Sequence, residues 1–187
     1  MISPLERVVA ALAVGLAILL GSGLDSRVEA QSARARTEPG LSRLTPTIYV
    51  AGQIGPDDLA RLRSRVDIRT VIALRPDGEA AGQPSSEQMA AEARKQELDF
   101  AYVPTPNGAI PATVVARFEA AMSSSSQPVL LYCRSGSRAA RVWALSEASR
   151  PGGMDAPTIL AAVRAAGLSA DAEKAEIEQR IAARKPQ

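Results

Sequence analysis

The chain has 187 residues, a formal net charge of +2, 3% aromatic residues, a single cysteine and no histidine. That length holds one domain plus a targeting segment, and a nearly balanced charge without a basic stripe interleaved with aromatics excludes a nucleic-acid surface. The absence of histidine removes Ser–His and Cys–His nucleophile pairs and histidine metal sites, and one cysteine removes thiolate metal clusters and C-x-x-C redox pairs, so neither metal nor cofactor is expected.

The first thirty residues read as a signal peptide. A short start carrying Arg7 precedes an unbroken apolar run, Val8 to Leu20, followed by small residues. The run is shorter than the ~20 apolar residues of a spanning helix; the alternative is an uncleaved membrane anchor through residues 8–20. The expected location is therefore exported, periplasmic or tethered to the membrane. Residues 31–46 are polar and read as a flexible leader, leaving 47–187 as the domain.

Within that domain strands and helices alternate. Ile48–Ala51 is a short strand. Pro56–Val66 is amphipathic, with Leu59, Leu62 and Val66 at helical spacing and Pro56 suited to the first turn. Arg69–Leu74 has the composition of a buried strand, and Arg75-Pro76-Asp77-Gly78 carries type I turn chemistry. Ser85 to Gln88 forms a capping box that opens a helix to about Gln96. Asp99–Val103 is a strand, Pro104–Gly108 a loop and Pro111–Met122 a helix. Val129–Tyr132 is the fourth strand. A helix containing Trp143, a core residue, follows, and then helical stretches at 156–166 and 170–183, the last reading as a charged, solvated face. This alternation predicts an α/β domain with a largely parallel sheet, whose sites lie beyond the carboxyl ends of the strands.

Cys133 sits at such an end, in Cys133-Arg134-Ser135-Gly136-Ser137-Arg138. Three features favour its anion: the N-terminus of the following helix, the charges of Arg134 and Arg138, and Gly136, which permits a left-handed turn that points successive N–H groups inward as an anion nest. Ser135 and Ser137 either hydrogen-bond the thiolate or cap the helix. A lone cysteine is more often a small buried hydrophobe, a reading that leaves the surrounding arginines and serines unexplained.

Three segments together, Ile48–Ile54, Thr70–Glu79 (with Arg75-Pro76-Asp77-Gly78-Glu79) and Pro128–Arg138, resemble the beta-lactamase-hydrolase-like phosphatase-type domain family, whose members are described as protein tyrosine phosphatase-like proteins or sulfurtransferases. The resemblance spans roughly Leu44 to Leu168. It implies a dual-specificity-phosphatase-like three-layer fold, with a small, mostly parallel central sheet of about four strands and a catalytic loop between the last strand and the next helix. Cys133 and Arg138 are then the catalytic pair, and Arg134, Ser135, Gly136 and Ser137 the anion-binding loop.

The chain departs from the tyrosine phosphatase pattern in three places. Four residues, not five, separate Cys133 from Arg138, a loop similar to that of rhodaneses. Asn107 stands in the loop where phosphatases carry an acidic proton donor, and an amide cannot be a general acid. Tyr132 stands where they carry histidine. The expected reaction is therefore sulfur transfer: Cys133 accepts a sulfane sulfur from a small donor such as thiosulfate or a persulfide, and passes it to a thiol acceptor. The alternatives are a cysteine-dependent phosphatase, with Asp77 or Glu79 in place of the missing acid, and a non-catalytic anion-binding or redox-sensing module. Turn chemistry alone accounts for Asp77, and Arg75 either pairs with Glu79 at the surface or reaches the loop.

Overall fold

A computed structural model describes residues 40–184. The segments read as signal peptide and most of the leader lie outside the described residues, and no described helix is long and apolar enough to cross a membrane.

Five strands form one sheet in the order β1-β2-β5-β3-β4: β1 Leu41–Thr45, β2 Ile48–Ala51, β3 Thr70–Ala73, β4 Asp99–Tyr102 and β5 Val129–Tyr132. β1 runs antiparallel to β2, and the other neighbours are parallel. Every residue of β2, β3 and β5 is buried, as expected of parallel strands covered on both faces.

Alternation along these strands divides the core in two. One face carries Tyr49, Ala51, Val71, Ala73, Leu130 and Tyr132. They pack with Leu59 and Leu62 of α1 (Pro56–Val66) and Met89 and Ala93 of α2 (Ser86–Lys95). The other face carries Ile48, Val50, Ile72, Val129 and Leu131. Against it lie α3 (Ala112–Ser123), α4 (Ser137–Ser149), α5 (Ala156–Ala165) and α6 (Lys174–Ala182). Trp143 is 2% exposed within this second cluster, as its core reading required. The three-layer α/β fold is thus as expected. Local signals also hold: Ser85 caps α2 through a reciprocal box with Gln88, and Pro56 opens α1.

Two readings need correction. The sheet has five strands rather than about four, because residues 41–45 of the supposed leader form β1. A polar five-residue segment carries little strand signal of its own. β2 offers it an open edge to bond, and Arg43 stacks over the Tyr49 ring at 5.1 Å while donating to its hydroxyl at 2.9 Å. The stretch 170–183 divides into a 3-10 turn, Asp171–Glu173, and α6, and it is not a wholly solvated face. Glu173 is buried, and its Oε1 accepts from Arg141 Nε at 2.7 Å.

Candidate active site

The strand register sets Ala51, Tyr132, Ala73 and Tyr102 side by side at the carboxyl edge of the sheet. The four segments that leave this edge therefore converge: Gly52-Gln53 after β2, Leu74–Glu79 after β3, Val103–Asn107 after β4 and Cys133–Gly136 after β5.

The Cys133 loop is shaped by its backbone. Gly136 has φ +88° and is the residue from which α4 springs. A β-carbon there would be strained by the left-handed conformation and would also lie 3.4 Å from Leu168 Cδ1 and 3.5 Å from the Ala51 carbonyl oxygen. The Arg134 carbonyl turns outward and accepts from Gln53 N–H at 3.1 Å. Gly52 admits this approach, since a β-carbon on it would stand 3.3 Å from the same oxygen. Neither Ser135 nor Ser137 caps α4 through its side chain. Arg134 and Ser135 are exposed, and Ser137 is half-buried in the first turn.

Cys133 is a free thiol with 0% exposure. The sulfur lies at the floor of the loop, against the core cluster that holds Trp143. The Arg138 guanidinium lies beside it, and the Arg138 charge is strengthened on balance. Burial works against that charge, but bonding to Glu79 and the nearness of Cys133 outweigh it.

Arg138 is itself buried, at 5% exposure. Its Nη1 donates to Glu79 Oε1 at 2.8 Å and to the Thr105 carbonyl at 2.9 Å, and its Nη2 donates to Glu79 Oε2 at 2.8 Å. A guanidinium has five N–H donors in a fixed plane. These bonds take three of the five donors and leave the Nε–H and the second Nη2–H, an edge that fits an incoming oxyanion bidentately.

Glu79 binds more than Arg138. Arg75 Nε donates to its Oε2 at 2.7 Å, and Asn107 Nδ2 lies 3.5 Å from its Oε1. Arg75, only 7% exposed, also donates from Nη1 to Gln53 Oε1 at 2.8 Å. The bonds from Arg138 and then Arg75 hold the Glu79 carboxyl down at a pKa of about 2. Glu79 is thus an ionised clamp on two buried arginines, and the expectation that it replaces the missing acid does not fit this setting. Asp77 is exposed and faces α2, accepting from Ser86 N–H at 2.7 Å and Ser86 Oγ at 2.6 Å. It serves the turn and the start of α2, not the loop. Burial drives the Tyr132 phenol well above its usual range, with the charge of Asp77 adding to the effect.

The structure therefore joins Cys133, Arg138, Glu79 and Asn107, and sets Asp77 aside. Gln53 and Thr105 belong to the site but were not among the expected residues, and Arg75, read as either a surface pair or a residue that reaches the loop, is buried in the site and pairs with Glu79 there. Gln53 and Arg75 lie within the segments that carried the family resemblance; Thr105 contributes a backbone carbonyl and left no side-chain signal. Arg141, on α4, donates to the Gly108 carbonyl at 2.8 Å as well as to Glu173, tying the Asn107 loop to the C-terminal turn.

Residues 40–150, more than half of the chain, match the family model described as beta-lactamase hydrolase-like protein, phosphatase-like domain. The chain belongs to that family. Among curated relatives, the beta-lactamase hydrolase-like protein of Xylella fastidiosa is 35% identical over 100 residues, and that of Agrobacterium fabrum 29% over 106. These matches cover 54% and 57% of this chain but only 23% and 24% of the relatives, so the chain spans about a quarter of their length.

Among solved structures, a candidate phosphatase of Neisseria meningitidis is 25% identical with a TM-score of 0.66, covering 76% of this chain and 99% of that one. TpbA of P. aeruginosa is 17% identical with a TM-score of 0.53, covering 79% and 86%, and shows the fold alone. The phosphatase-like domain ends near α4, so α5, the 3-10 turn and α6 lie beyond the matched residues.

Proposed function

We propose that this phosphatase-like domain is a cysteine-dependent phosphatase. The observation that carries the reading is the free Nε–Nη2 edge of Arg138 beside Cys133, at the N-terminus of α4, with its opposite side clamped by Glu79. That arrangement seats a tetrahedral oxyanion over a nucleophilic sulfur and is set before substrate arrives. The family and the Neisseria structure support phosphoryl transfer over sulfur transfer, the reaction placed first on sequence grounds.

In this reading the Cys133 thiolate attacks phosphorus, while loop N–H groups and Arg138 hold the equatorial oxygens. A cysteinyl-phosphate forms as the P–O bond to the leaving group breaks and its pair departs on that oxygen, and water then hydrolyses the S–P bond. Wild-type protein is expected to release phosphate from an aryl phosphate and, when quenched during turnover, to carry one phosphoryl group on Cys133 by mass spectrometry. Cys133→Ser should do neither. Equal phosphate release by Cys133→Ser would overturn the proposal.

The second reading is sulfur transfer, favoured by one observation, the four-residue spacing from Cys133 to Arg138. A shorter ring of N–H groups suits a single persulfide sulfur. Its donor would be thiosulfate or a persulfide, and its acceptor a thiol. Incubation with thiosulfate separates the two, since only a sulfurtransferase gains one sulfur atom on Cys133.

We also propose export to the periplasm, supported by the apolar run Val8–Leu20 alone. N-terminal sequencing of protein from the periplasmic fraction tests it. A mature start beyond the apolar run is expected; recovery of the whole chain in the cytoplasmic fraction would overturn it.

A further inference from the structure

We propose that the site accepts phosphoryl donors whose leaving group departs as a stable anion without taking up a proton, namely phosphoanhydrides or acyl phosphates, and that it discriminates against alkyl phosphomonoesters. The inference rests on the phosphatase reading above and follows from what each polar group on this edge of the sheet is already doing.

An alkyl ester expels a strongly basic alkoxide, which needs a proton as the P–O bond breaks; an anhydride expels a phosphate and an acyl phosphate a carboxylate, which do not. Glu79 has no proton to give, because its two oxygens accept from Arg138 Nη1, Arg138 Nη2 and Arg75 Nε, at 2.7–2.8 Å, and face Asn107 Nδ2. Both oxygens of Asp77 accept from Ser86. Asn107 stands in the loop after β4 with an amide, which has no transferable proton. Asp58 accepts from Gly55 N–H at 2.7 Å and pairs with Arg61. Asp57 is exposed in the first turn of α1. The Tyr102 hydroxyl, on the exposed end of β4, accepts from Asp77 N–H at 2.9 Å. There is no histidine anywhere in the chain.

The step balances without a proton donor. The Cys133 sulfur forms a bond to phosphorus as the P–O bond breaks, and the bonding pair leaves on the oxygen of the departing phosphate or carboxylate. Water then attacks phosphorus, the P–S pair returns to sulfur, and the proton of the water passes to solvent. The group that protonates a leaving oxygen in the first step ordinarily deprotonates water in the second. Its absence slows only the second step for an anhydride, so the cysteinyl-phosphate accumulates.

The test is phosphate release by full-length wild type from inorganic pyrophosphate, acetyl phosphate, a series of aryl phosphates of graded leaving-group basicity, and glycerol phosphate, each against Cys133→Ser. Expected is a fall in kcat/KM of about 10²–10⁴-fold from the anhydride to the alkyl ester, the range a general acid would otherwise supply, with a steep, monotonic dependence across the aryl series. Asp57→Asn and Tyr102→Phe should leave that dependence unchanged. A flat dependence, with glycerol phosphate cleaved as fast as pyrophosphate, overturns the inference and leaves the phosphatase reading standing. So does an alkaline limb in the pH–rate profile that disappears in either variant. Release no faster than from Cys133→Ser for every compound overturns the phosphatase reading and the inference together.

Discussion

Arg138→Lys is expected to lower kcat/KM for phosphate release by about 10²–10³-fold, the loss that follows removal of one oxyanion donor, while the protein still folds. Lysine keeps the positive charge beside Cys133 but not the plane. The guanidinium serves Glu79 with two nitrogens, the Thr105 carbonyl with a third N–H, and presents its remaining edge to the oxyanion. An ammonium has three donors radiating from one atom and cannot hold that set at once. Steady-state kinetics beside a thermal melt measure it. A variant that keeps its fold and half or more of wild-type kcat/KM would show that the Nε–Nη2 edge does not face the reacting group.

The second large effect is on stability. Glu79→Gln leaves Arg75 and Arg138 facing each other, both buried, without the carboxylate between them. The Glu79 pKa falls from the ordinary 4.5 to about 2 on folding. A depression of this size corresponds to about 3 kcal/mol of stability, at 1.36 kcal/mol per pKa unit. The sign follows from proton binding. Between pH 2 and 4.5 the unfolded chain binds the proton and the folded one does not, so the contribution is fully present above about pH 4.5. It is lost as the pH falls through that window towards 2. Urea unfolding of wild type and Glu79→Gln should therefore show a gap of about 3 kcal/mol at pH 7 that narrows steadily below pH 4.5. A gap that stays constant from pH 7 to pH 3 would mean that the carboxylate is not the stabilising species.

Much of this architecture was legible in the sequence because its signals are local. β2, β3 and β5 read as strands since their residues are apolar on both faces, which two covering layers of helices require. α2 announced itself through Ser85 and Gln88, whose capping box is a contact three residues apart. Cys133 at a strand end, Gly136 and Arg138 at a helix start placed the loop correctly. β1 was lost in the supposed leader because its five residues carry little strand pattern, and their pairing with the edge of β2 and the burial of Leu44 are set only by the fold.

The roles of the charged residues were harder. A glutamate four residues from an arginine looks like a surface pair on a turn. Burial of Arg75 and the arrival of Arg138 from the first turn of α4, 59 positions further along the chain, turn it into a clamp. Glu173 read as one more solvated charge in a charged segment until Arg141 met it in the interior.

By itself, then, the order of residues determined which segments become buried strands and covering helices, that a lone sulfur stands where parallel strands end, and that no imidazole or second thiol takes part in its chemistry. Periodicity and turn chemistry act over a few residues and survive in the linear text. Only the tertiary structure decided that the sulfur lies at the floor of its loop, that Glu79 grips two arginines and has no proton to offer, and that Asp77 looks away towards α2. Those outcomes depend on which charges are brought within 3 Å of one another and removed from water. That proximity comes from loops converging on one edge of the sheet.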